Sequence, residues 1–537
     1  MTCEHCARGI ERRFEGMKGI VSRRVSYPEG KGSFRYDPTL VSREDIVRTI
    51  EQGNYKVVGE LGKEGGDVPR FDLVIIGGGS AAFSAAIRAE ELGLSVLMVN
   101  GGLPTGGTCV NVGCVPSKHL IRAAETLHRA AHSPFPAIQP KGAELDFRKL
   151  IEGKRALVEE LRQKKYLDVV RDFQGLTMVE GWAEFEDEKT ILVNGTDRYR
   201  GLKFLIATGA RTNVPQIEGL EGVGYLTNAT LFEQEELPES MTILGAGYIG
   251  LEIAMAYRRF GTRVRLIEFT DRVLRSQTPD ISEELERHLR SEGIEVLPNF
   301  RAQRFERRNG VVHITCRRPD GSTTTLEEPG AVVVATGIRA NTRRLGLDKI
   351  GVQLDERGHI RVNDRMQTSL PHVFAAGDVA DTPAYVYTAA YEGRLAVENA
   401  FTDSDRRADY SALPWVVFTD PQVAGVGLDE AQAEAQDLPF EVTRLPLKEV
   451  PRALAANDTR GFIKLIRNPE TDRLLGARIV APEGGELVME LSLAIRYGIP
   501  VKELAEGFHP YLTLSEGIKL AAITFGKDVS KLSCCAS

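Results

Sequence analysis

The sequence predicts an α/β protein with two Rossmann-like units, a third large domain after them and a small α/β module before them. Two observations carry this prediction. A buried strand, a glycine-rich turn and a helix follow one another in "FDLVIIGGGSAAFSAAIRAEELG", and the same order returns in "MTILGAGYIGLEIAMAYRRFG". In a Rossmann unit the glycine turn lets the backbone approach a pyrophosphate at the helix N-terminus. The chain is therefore expected to bind two dinucleotides.

The composition fits a chain of several globular domains. At roughly 150 residues per domain, the 537 residues suggest three or four domains. The net charge of −7 argues against a nucleic-acid-binding protein, which would carry a basic face. No segment approaches the ~18–20 consecutive apolar residues of a membrane span, and "MTCEHCARGIERR" lacks the apolar core of a signal peptide. We therefore expect a cytoplasmic protein without a membrane span.

Residues 1–60 form the predicted small module, and residues 61–70 the linker that follows it. "IVSRRVSY" and "KGSFRYD" alternate like a hairpin, and "SREDIVRTIEQ" is a predicted capped helix. Cys3 and Cys6 form a CxxC pair at the start of the first helix, which presents two thiolates on one side. This arrangement suits a soft two-coordinate metal ion. A structural pair or a thioredoxin-like redox site is the alternative.

The first glycine turn has GxGxxA spacing, formed by Gly77, Gly79 and Ala82. A continuous apolar strand precedes it and a helix follows, so we interpret it as a dinucleotide site. The next strand, "VLMVN", ends in Asn100 where a ribose-binding acid is expected. The amide of Asn100 can still hydrogen-bond a ribose hydroxyl, but it carries no charge.

The second glycine turn has GxGxxG spacing, formed by Gly245, Gly247 and Gly250. The next strand of this unit ends in Glu268. A carboxylate there favours the free ribose 2′-hydroxyl of NADH and repels the 2′-phosphate of NADPH. Arg272 and Arg275 follow closely and could accommodate NADPH. The residues therefore favour NADH slightly and leave NADPH open.

The seven cysteines comprise three close pairs and one single residue. Cys109 and Cys114 lie in "GGTCVNVGCVPSK", where their spacing permits a disulfide at a helix start, a place that favours the reactive thiolate. Cys534 and Cys535 are adjacent near the carboxyl terminus, and alone they leave three interpretations open: no role, a redox shuttle or a soft-metal clamp. Cys316, in the predicted strand "VVHITCRR", is interpreted as a buried structural thiol. Three close pairs in a cytoplasmic chain favour redox or metal chemistry over a disulfide scaffold.

From residue 71 to the end, the chain resembles the flavoprotein disulfide reductases. The resemblance rests on "GGTCVNVGCVPSK" together with "LIATGA", "VVVATG" and "VFAAGDVA", in the order that the family has them. It implies an FAD-binding domain in two parts, residues 71–213 and 333–410. An NAD(P)-binding domain at residues 214–332 lies between these parts, and an α+β dimerisation domain follows at residues 411–537. Electrons would pass from the nicotinamide through FAD to a Cys109–Cys114 disulfide.

The same resemblance assigns residues around the flavin. Thr108 and Lys118 would lie beside it, with Glu252 paired to Lys118. Cys114 would be the thiol nearer to the flavin and Cys109 the outer one. The other residues implied for the FAD site are Asp378, which would hold the ribitol, Ala183 and Val386.

Within the family, the carboxyl-terminal region resembles the mercuric reductases. Members that reduce disulfides use a histidine base in an "HPTLSE"-like segment, but "YLTLSE" puts Tyr511 at that position and His509 two residues earlier. A tyrosine, with a pKa near about 10, is a poor proton acceptor at pH 7, whereas reduction of a metal ion does not need that base. Tyr166 resembles the second active-site tyrosine of this group; a half-buried core tyrosine is the alternative.

The N-terminal "MTCEHC" is similar to the "GMTCxxC" loop of heavy-metal-associated domains. This likeness implies a ferredoxin-like βαββαβ metal-binding domain. The first strand of that domain precedes the loop, and here Met1 begins almost at the loop itself. Either the true start of the chain lies upstream of Met1, or the module lacks its first strand.

Together these likenesses imply a mercury(II) reductase that uses FAD and NAD(P)H in mercury detoxification. Hg²⁺, delivered by small thiols or a thiol carrier, would move between cysteine pairs, from Cys3 and Cys6 through Cys534 and Cys535 to Cys109 and Cys114. A homodimer with shared active sites is implied, so that each tail serves the other subunit. The alternatives are a thioredoxin reductase-like disulfide reductase and a non-enzymatic heavy-metal sequestration protein.

Overall fold

The structure is a computed structural model that describes residues 4–27, 30–37, 40–53, 55–57 and 68–528. The chain divides into two compact units between Pro69 and Arg70. Cys3, the last three residues of the predicted module (58–60), residues 61–67 of the predicted linker and the pair Cys534 and Cys535 lie outside the described residues. The assignments made to them from the sequence stay predictions.

The N-terminal unit is a hairpin flanked by two helices, in the order Glu4–Arg12, Ile20–Ser26, Lys31–Tyr36 and Arg43–Glu51. The predicted cap of the second helix is present: the Asp45 N–H donates to Ser42 Oγ at 3.2 Å, and the Ser42 N–H donates back to Asp45 Oδ2 at 3.1 Å. Ile10, Phe14 and Ile46 form part of its core. The described residues thus contain the helix–strand–strand–helix centre of the expected fold, and its two terminal strands are not among them.

The second unit begins with the first Rossmann-like sheet. Its strands lie in the spatial order Leu176–Glu180, Val96–Asn100, Arg70–Ile76, Asp197–Ile206, Thr190–Val193 and Ala183–Asp187, and Val373–Ala375 also pairs with Asp197–Ile206. Helix Ser80–Glu91 follows the first strand and packs against helix Val386–Phe401. Because that helix comes after the second Rossmann-like unit in sequence, the first unit is built from two separate stretches of chain.

The second Rossmann-like unit has a parallel sheet in the order Glu295–Leu297, Arg263–Ile267, Ser240–Leu244 and Ala331–Val334. Helices Tyr248–Phe260 and Pro279–Ser291 accompany it, and an antiparallel sheet is formed by Arg301–Arg308, Val311–Arg317 and Thr323–Glu328. Cys316 lies in the middle strand of that sheet, where burial raises the pKa of its thiol to about 11. The prediction of a buried structural thiol is confirmed.

The C-terminal domain has an antiparallel sheet in the order Trp415–Val417, Gln422–Gly427, Leu474–Ala481, Phe462–Arg467 and Glu441–Pro446. Its longer helices are Gly484–Arg496, Val501–Glu506 and Glu516–Ile523.

The helices that carry or flank the cysteine segment are Gly107–Asn111, Cys114–Ala131 and Phe147–Arg162, the last continued by a π-helical turn at Gln163–Leu167. The predicted fold class is confirmed. No described helix combines the length and apolar character that a bilayer crossing requires.

Candidate active site

The first glycine turn brings a helix N-terminus to the wall of a large cavity. Gly77 has φ +130°, and a Cβ there would lie 2.1 Å from the carbonyl oxygen of Ala207, so only glycine fits this position. Gly79 caps helix Ser80–Glu91 and lines the cavity. Ala82 is fully buried, and its role is to pack the helix onto the sheet. Asn100 lies against the turn and donates to the Leu103 carbonyl oxygen at 3.0 Å.

The cavity has a volume of about 900 Å³ and a predominantly apolar lining, as expected of a cofactor site. The sequence-predicted residues that line it are Gly79, Thr108, Cys109, Cys114, Lys118, Glu252, Asp378 and Val386. Ala183 does not line it, because its side chain is buried in the core beneath strand Ala183–Asp187. The chain thus brings together residues as far apart in sequence as Gly79 and Val386.

Cys109 and Cys114 are free thiols in the wall of this cavity. Cys109 lies in the short helix Gly107–Asn111, and Cys114 is the first residue of helix Cys114–Ala131. The hydrogen bond from the Cys109 thiol, together with the positive charge of Lys118, lowers the pKa of Cys114 to about 7 against the opposing effect of burial. That hydrogen bond and burial raise the pKa of Cys109. Around neutral pH Cys114 is therefore partly ionised to the thiolate, while Cys109 keeps its proton.

We expect the alkylation rate of Cys114 in the reduced protein to rise with pH around a midpoint of about 7. A lowered pKa means that the reactive thiolate is present above the midpoint and lost below it. Cys109→Ala should move the midpoint upward, because it removes the hydrogen bond that stabilises the thiolate. Iodoacetamide labelling followed by mass spectrometry of the Cys114 peptide measures this. Cys316→Ala is the control, and a wild-type midpoint near 9 would contradict the assignment.

Lys118 forms an ion pair with Glu252, as expected, with Nζ and Oε2 2.7 Å apart. The second carboxylate oxygen of Glu252 accepts a hydrogen bond from the Phe418 N–H at 3.0 Å, and Lys118 Nζ lies 4.4 Å from the centre of the Phe418 ring. Glu252 belongs to the helix that follows the second glycine turn. The ion pair therefore links the cysteine helix to the second Rossmann-like unit and to the C-terminal domain, and it keeps a positive charge near Cys114.

The side chain of Glu268 accepts a hydrogen bond from the backbone of the second glycine turn. Gly250 allows a close approach, since a Cβ there would lie 2.0 Å from the carbonyl oxygen of Gly245. Glu268 is buried, and its carboxylate accepts hydrogen bonds from the backbone N–H groups of Ala246 and Thr270, both at 2.8 Å. The glycines that form the turn with Gly250 are Gly245, which has φ +99°, and Gly247, which caps helix Tyr248–Phe260. Glu268 thus holds the turn in shape from the end of the neighbouring strand.

The two arginines after Glu268 both pair with one carboxylate. Arg272 Nη1 lies 2.9 Å and Arg275 Nε 2.8 Å from the carboxylate oxygens of Asp271. Arg272 also donates to the carbonyl oxygen of Gln277 at 3.2 Å. The charges that would bind a 2′-phosphate are therefore already partly balanced by Asp271.

The two predicted active-site tyrosines have different surroundings. Tyr166 lies in the π-helical turn, is half-buried, and packs edge-on against Phe83 with ring centres 5.0 Å apart. Its hydroxyl lies 3.4 Å from Ser80 Oγ, and burial, together with the charges of Cys109 and Cys114, raises its pKa. Tyr511 is half exposed and is not among the residues that line the cavity. Within one chain, the structure brings Tyr166 but not Tyr511 to the cysteine pair.

Residues that sequence reasoning missed complete the cavity wall. Tyr248 stacks on Trp415 with ring centres 5.9 Å apart, and Tyr385 stacks on Tyr387 at 5.3 Å. All four line the cavity, and burial raises the pKa of Tyr387 to about 12. Tyr248 could have been found from its place directly after Gly247 in the glycine turn. The other three carry no comparable local signal.

The residues present fit FAD. The carboxyl group of Asp378 lines the apolar cavity, burial raises its pKa, and among the described residues no other residue hydrogen-bonds to it. A half-buried carboxyl group without a partner is costly, and the hydroxyls of a ribityl chain would satisfy it. Behind it, buried Glu392 accepts hydrogen bonds from the Gly377 N–H and the Tyr410 hydroxyl, both at 2.7 Å. In the described part of the chain, no three His, Cys, Asp or Glu side chains cluster as a metal site.

Three protein-family models match the chain. A model of the pyridine nucleotide-disulphide oxidoreductases matches residues 71–393, and the dimerisation domain of the same family matches residues 413–522. A model of the heavy-metal-associated domain matches residues 1–56. The mercuric reductase of Lysinibacillus sphaericus is 40% identical over 100% of this chain and 98% of that protein. The mercuric reductase of Streptomyces lividans is 44% identical over 87% of this chain and 98% of that protein.

Solved structures also resemble this chain, at lower sequence identity than the mercuric reductases. The HOCl-induced flavoprotein disulfide reductase RclA from Escherichia coli aligns with a TM-score of 0.75 and 28% identity, covering 85% of this chain and 100% of that one. Its Cu(II) complex aligns with a TM-score of 0.76 and 27% identity, covering 86% and 100%. The two glycine turns, the cysteine pair and these matches all indicate the same protein family. The chain belongs to the pyridine nucleotide-disulphide oxidoreductases and, within that family, to the mercuric reductases.

Proposed function

We propose that this protein is a mercury(II) reductase that takes Hg²⁺ from small thiols or a thiol carrier and reduces it to elemental mercury. The observation that carries the proposal is the Cys109–Cys114 pair in the cavity wall, with the pKa of Cys114 lowered to about 7. Soft metal ions prefer thiolate ligands. The overall reaction balances as NAD(P)H plus Hg²⁺ giving NAD(P)⁺, H⁺ and Hg⁰.

Cys114 begins the capture of the metal because it is the thiolate of the pair. It displaces one small thiolate from a bis-thiolate mercury complex. Cys109 keeps its proton until the metal binds Cys114, and the metal charge then favours its ionisation. The Cys109 proton passes to a departing small thiolate, so one thiolate and one thiol are released. The positive charge of Lys118, 2.7 Å from Glu252, supports the Cys114 thiolate throughout.

Several of the cavity residues would hold FAD, namely Thr108, Lys118, Asp378 and Val386, together with the first glycine turn. FAD, when bound, would supply the relay of two electrons from the nicotinamide to the cysteine pair. The apolar lining and the tyrosine wall exclude water from this space, which protects a reduced centre from side reactions.

A tyrosine at position 511, where disulfide-reducing members have a histidine base, favours metal reduction over disulfide reduction. A disulfide substrate needs a base that accepts and returns a proton at each exchange, and a tyrosine is a poor one at neutral pH. His509 lies two residues earlier, its Nε2 lies 2.7 Å from Glu490 Oε1, and within one chain it is not among the residues that line the cavity. This argues against the thioredoxin reductase-like alternative, and the two glycine turns argue against a protein that only sequesters metal.

We propose a homodimer in which each C-terminal domain contributes to the partner's active site. The support is a row of exposed apolar side chains on one helix face, formed by Met489, Leu493 and Tyr497. Phe508, later in the same domain, is fully exposed as well. Exposed apolar patches of this kind mark protein interfaces. Met489 also lines the cavity, so the cavity and the patch are continuous.

The function is tested by NAD(P)H oxidation on addition of Hg²⁺ in excess thiol, compared with oxidised thioredoxin as substrate. We expect Hg²⁺-dependent oxidation of NAD(P)H, with one Hg⁰ atom released as vapour per NAD(P)H. With oxidised thioredoxin, we expect little NAD(P)H oxidation. Rapid thioredoxin reduction without mercury vapour would favour the disulfide reductase. Metal binding without NAD(P)H oxidation would favour sequestration.

The preference between NADH and NADPH depends on Asp271, Arg272 and Arg275. We expect NADH to be used well, and Asp271→Asn to raise kcat/KM for NADPH relative to NADH by about fivefold, because it releases two guanidinium groups for the 2′-phosphate. Asp405→Asn, which removes the partner of Arg365 at 2.6 Å elsewhere on the surface, is the matched control. An unchanged ratio in Asp271→Asn would show that other residues set the preference.

A further inference from the structure

A second cavity of about 910 Å³, called the arginine cavity here, is lined by Arg211, Arg339 and Arg343. It lies beside the antiparallel strand pair Ala210–Thr212 and Ile338–Ala340, which the chain forms where it leaves and re-enters the first Rossmann-like unit. It shares no lining residue with the cysteine cavity. The proposed mercury chemistry gives it no role.

The strand register forces two of these arginines together. Arg339 is directly opposite Arg211 across the antiparallel pair, so their side chains leave the same face. Like charges in this position destabilise a sheet. Burial lowers the pKa of Arg211, and the positive charges of Arg343 and Arg339 lower it further. All three arginines are exposed, and the chain therefore places three positive charges side by side at the surface of this cavity.

Among the described residues, none of the three arginines has a carboxylate partner within ion-pair distance, and the Arg211 guanidinium donates only to neutral Asn341 Oδ1, at 2.8 Å. Two glutamates also line the cavity, so three arginines and two glutamates give its lining a net charge of +1. Glu218 lies 3.2 Å from Arg304, and Glu221 accepts a hydrogen bond from the Tyr225 hydroxyl at 3.4 Å.

We propose that the arginine cavity binds a small molecule that carries two or more phosphate or carboxylate groups. Guanidinium groups recognise both anions through paired N–H donors. A multivalent anion would offset the repulsion across the strand pair, which a single charge would only partly do. The volume suits a metabolite-sized ligand.

The test is calorimetric titration of the FAD-loaded, full-length protein with pyrophosphate and, separately, with citrate, at constant ionic strength and with saturating NAD⁺ on the second glycine turn. We expect one saturable site per chain for at least one probe, and the two probes distinguish phosphate from carboxylate ligands. Arg339→Ala and Arg211→Ala should each weaken Kd by about tenfold or more, the change expected from losing a charge-assisted contact. Arg357→Ala, an exposed arginine elsewhere, is the matched control.

A second measurement separates binding from folding. Without added anion, Arg339→Ala should melt at the same temperature as the wild type or higher, because it removes a like-charge contact. Arg343→Gln, outside the strand pair, gives a further variant if either strand substitution impairs folding. The proposal is overturned if neither probe binds saturably, if NAD⁺ abolishes the binding, or if the arginine variants bind as tightly as the wild type.

Discussion

Cys114→Ser should reduce Hg²⁺-dependent NAD(P)H oxidation by at least about a thousandfold, the scale expected when a chain loses its reacting nucleophile. Serine is close to cysteine in size, so the half-buried start of helix Cys114–Ala131 should keep its packing. Its hydroxyl does not ionise near neutral pH and is a hard ligand that soft Hg²⁺ disfavours. Cys109→Ser should have a comparable effect, because the pair would then offer the metal one thiolate ligand instead of two.

The measurement pairs steady-state turnover with a flavin absorbance spectrum and a thermal melt. Retained FAD and an unchanged melting temperature would show that the loss is chemical. Cys316→Ala is the matched control, because this thiol is buried in strand Val311–Arg317 with a pKa raised to about 11 and should not affect turnover. If Cys114→Ser kept more than a tenth of wild-type turnover, the cysteine pair would not be the site of reduction.

Local patterns made several elements of the chain predictable. The capped helix at Ser42, the two glycine turns and the thiolate-favouring helix start of Cys114 each depend on a few neighbouring residues, whose steric and hydrogen-bonding rules act over short distances. The ion pair between Lys118 and Glu252 spans 134 positions, and only the family resemblance pointed to it.

Side chains whose role depends on distant packing could not be predicted in this way. Trp415 and Tyr385 reach the cavity wall because the chain returns to it after the second Rossmann-like unit, and neither has a distinctive sequence context. Asp271 directly precedes Arg272 in sequence, but only the folded loop shows that it pairs with both Arg272 and Arg275. The proximity of Arg211 to Arg339 likewise follows from strand register, not from spacing along the chain.

The tail pair is predicted to matter when mercury arrives with competing thiols. Replacing Cys534 and Cys535 with alanine should lower turnover in excess small thiol by about tenfold or more, because a tethered pair competes with an effective concentration in the millimolar range. The inner pair should still be reduced by NAD(P)H, since those electrons do not pass through the tail. With a weakly liganded mercury salt the defect should be smaller, because the metal can reach Cys109 and Cys114 without an exchange partner.

A complementation experiment decides which subunit the tail serves. Co-expression of the tail variant with a Cys109→Ala/Cys114→Ala variant, under two affinity tags, yields purified heterodimers in which only one chain has an intact inner pair and only the other has an intact tail. If the tail acts across the interface, each heterodimer has one working site and about half of wild-type turnover per dimer, as the symmetry of a two-fold assembly requires. If the tail acts within its own chain, heterodimers should be as slow as the tail variant alone. Full turnover of the tail variant under excess thiol would refute the relay in either form, since the inner pair would then strip mercury from small thiols unaided.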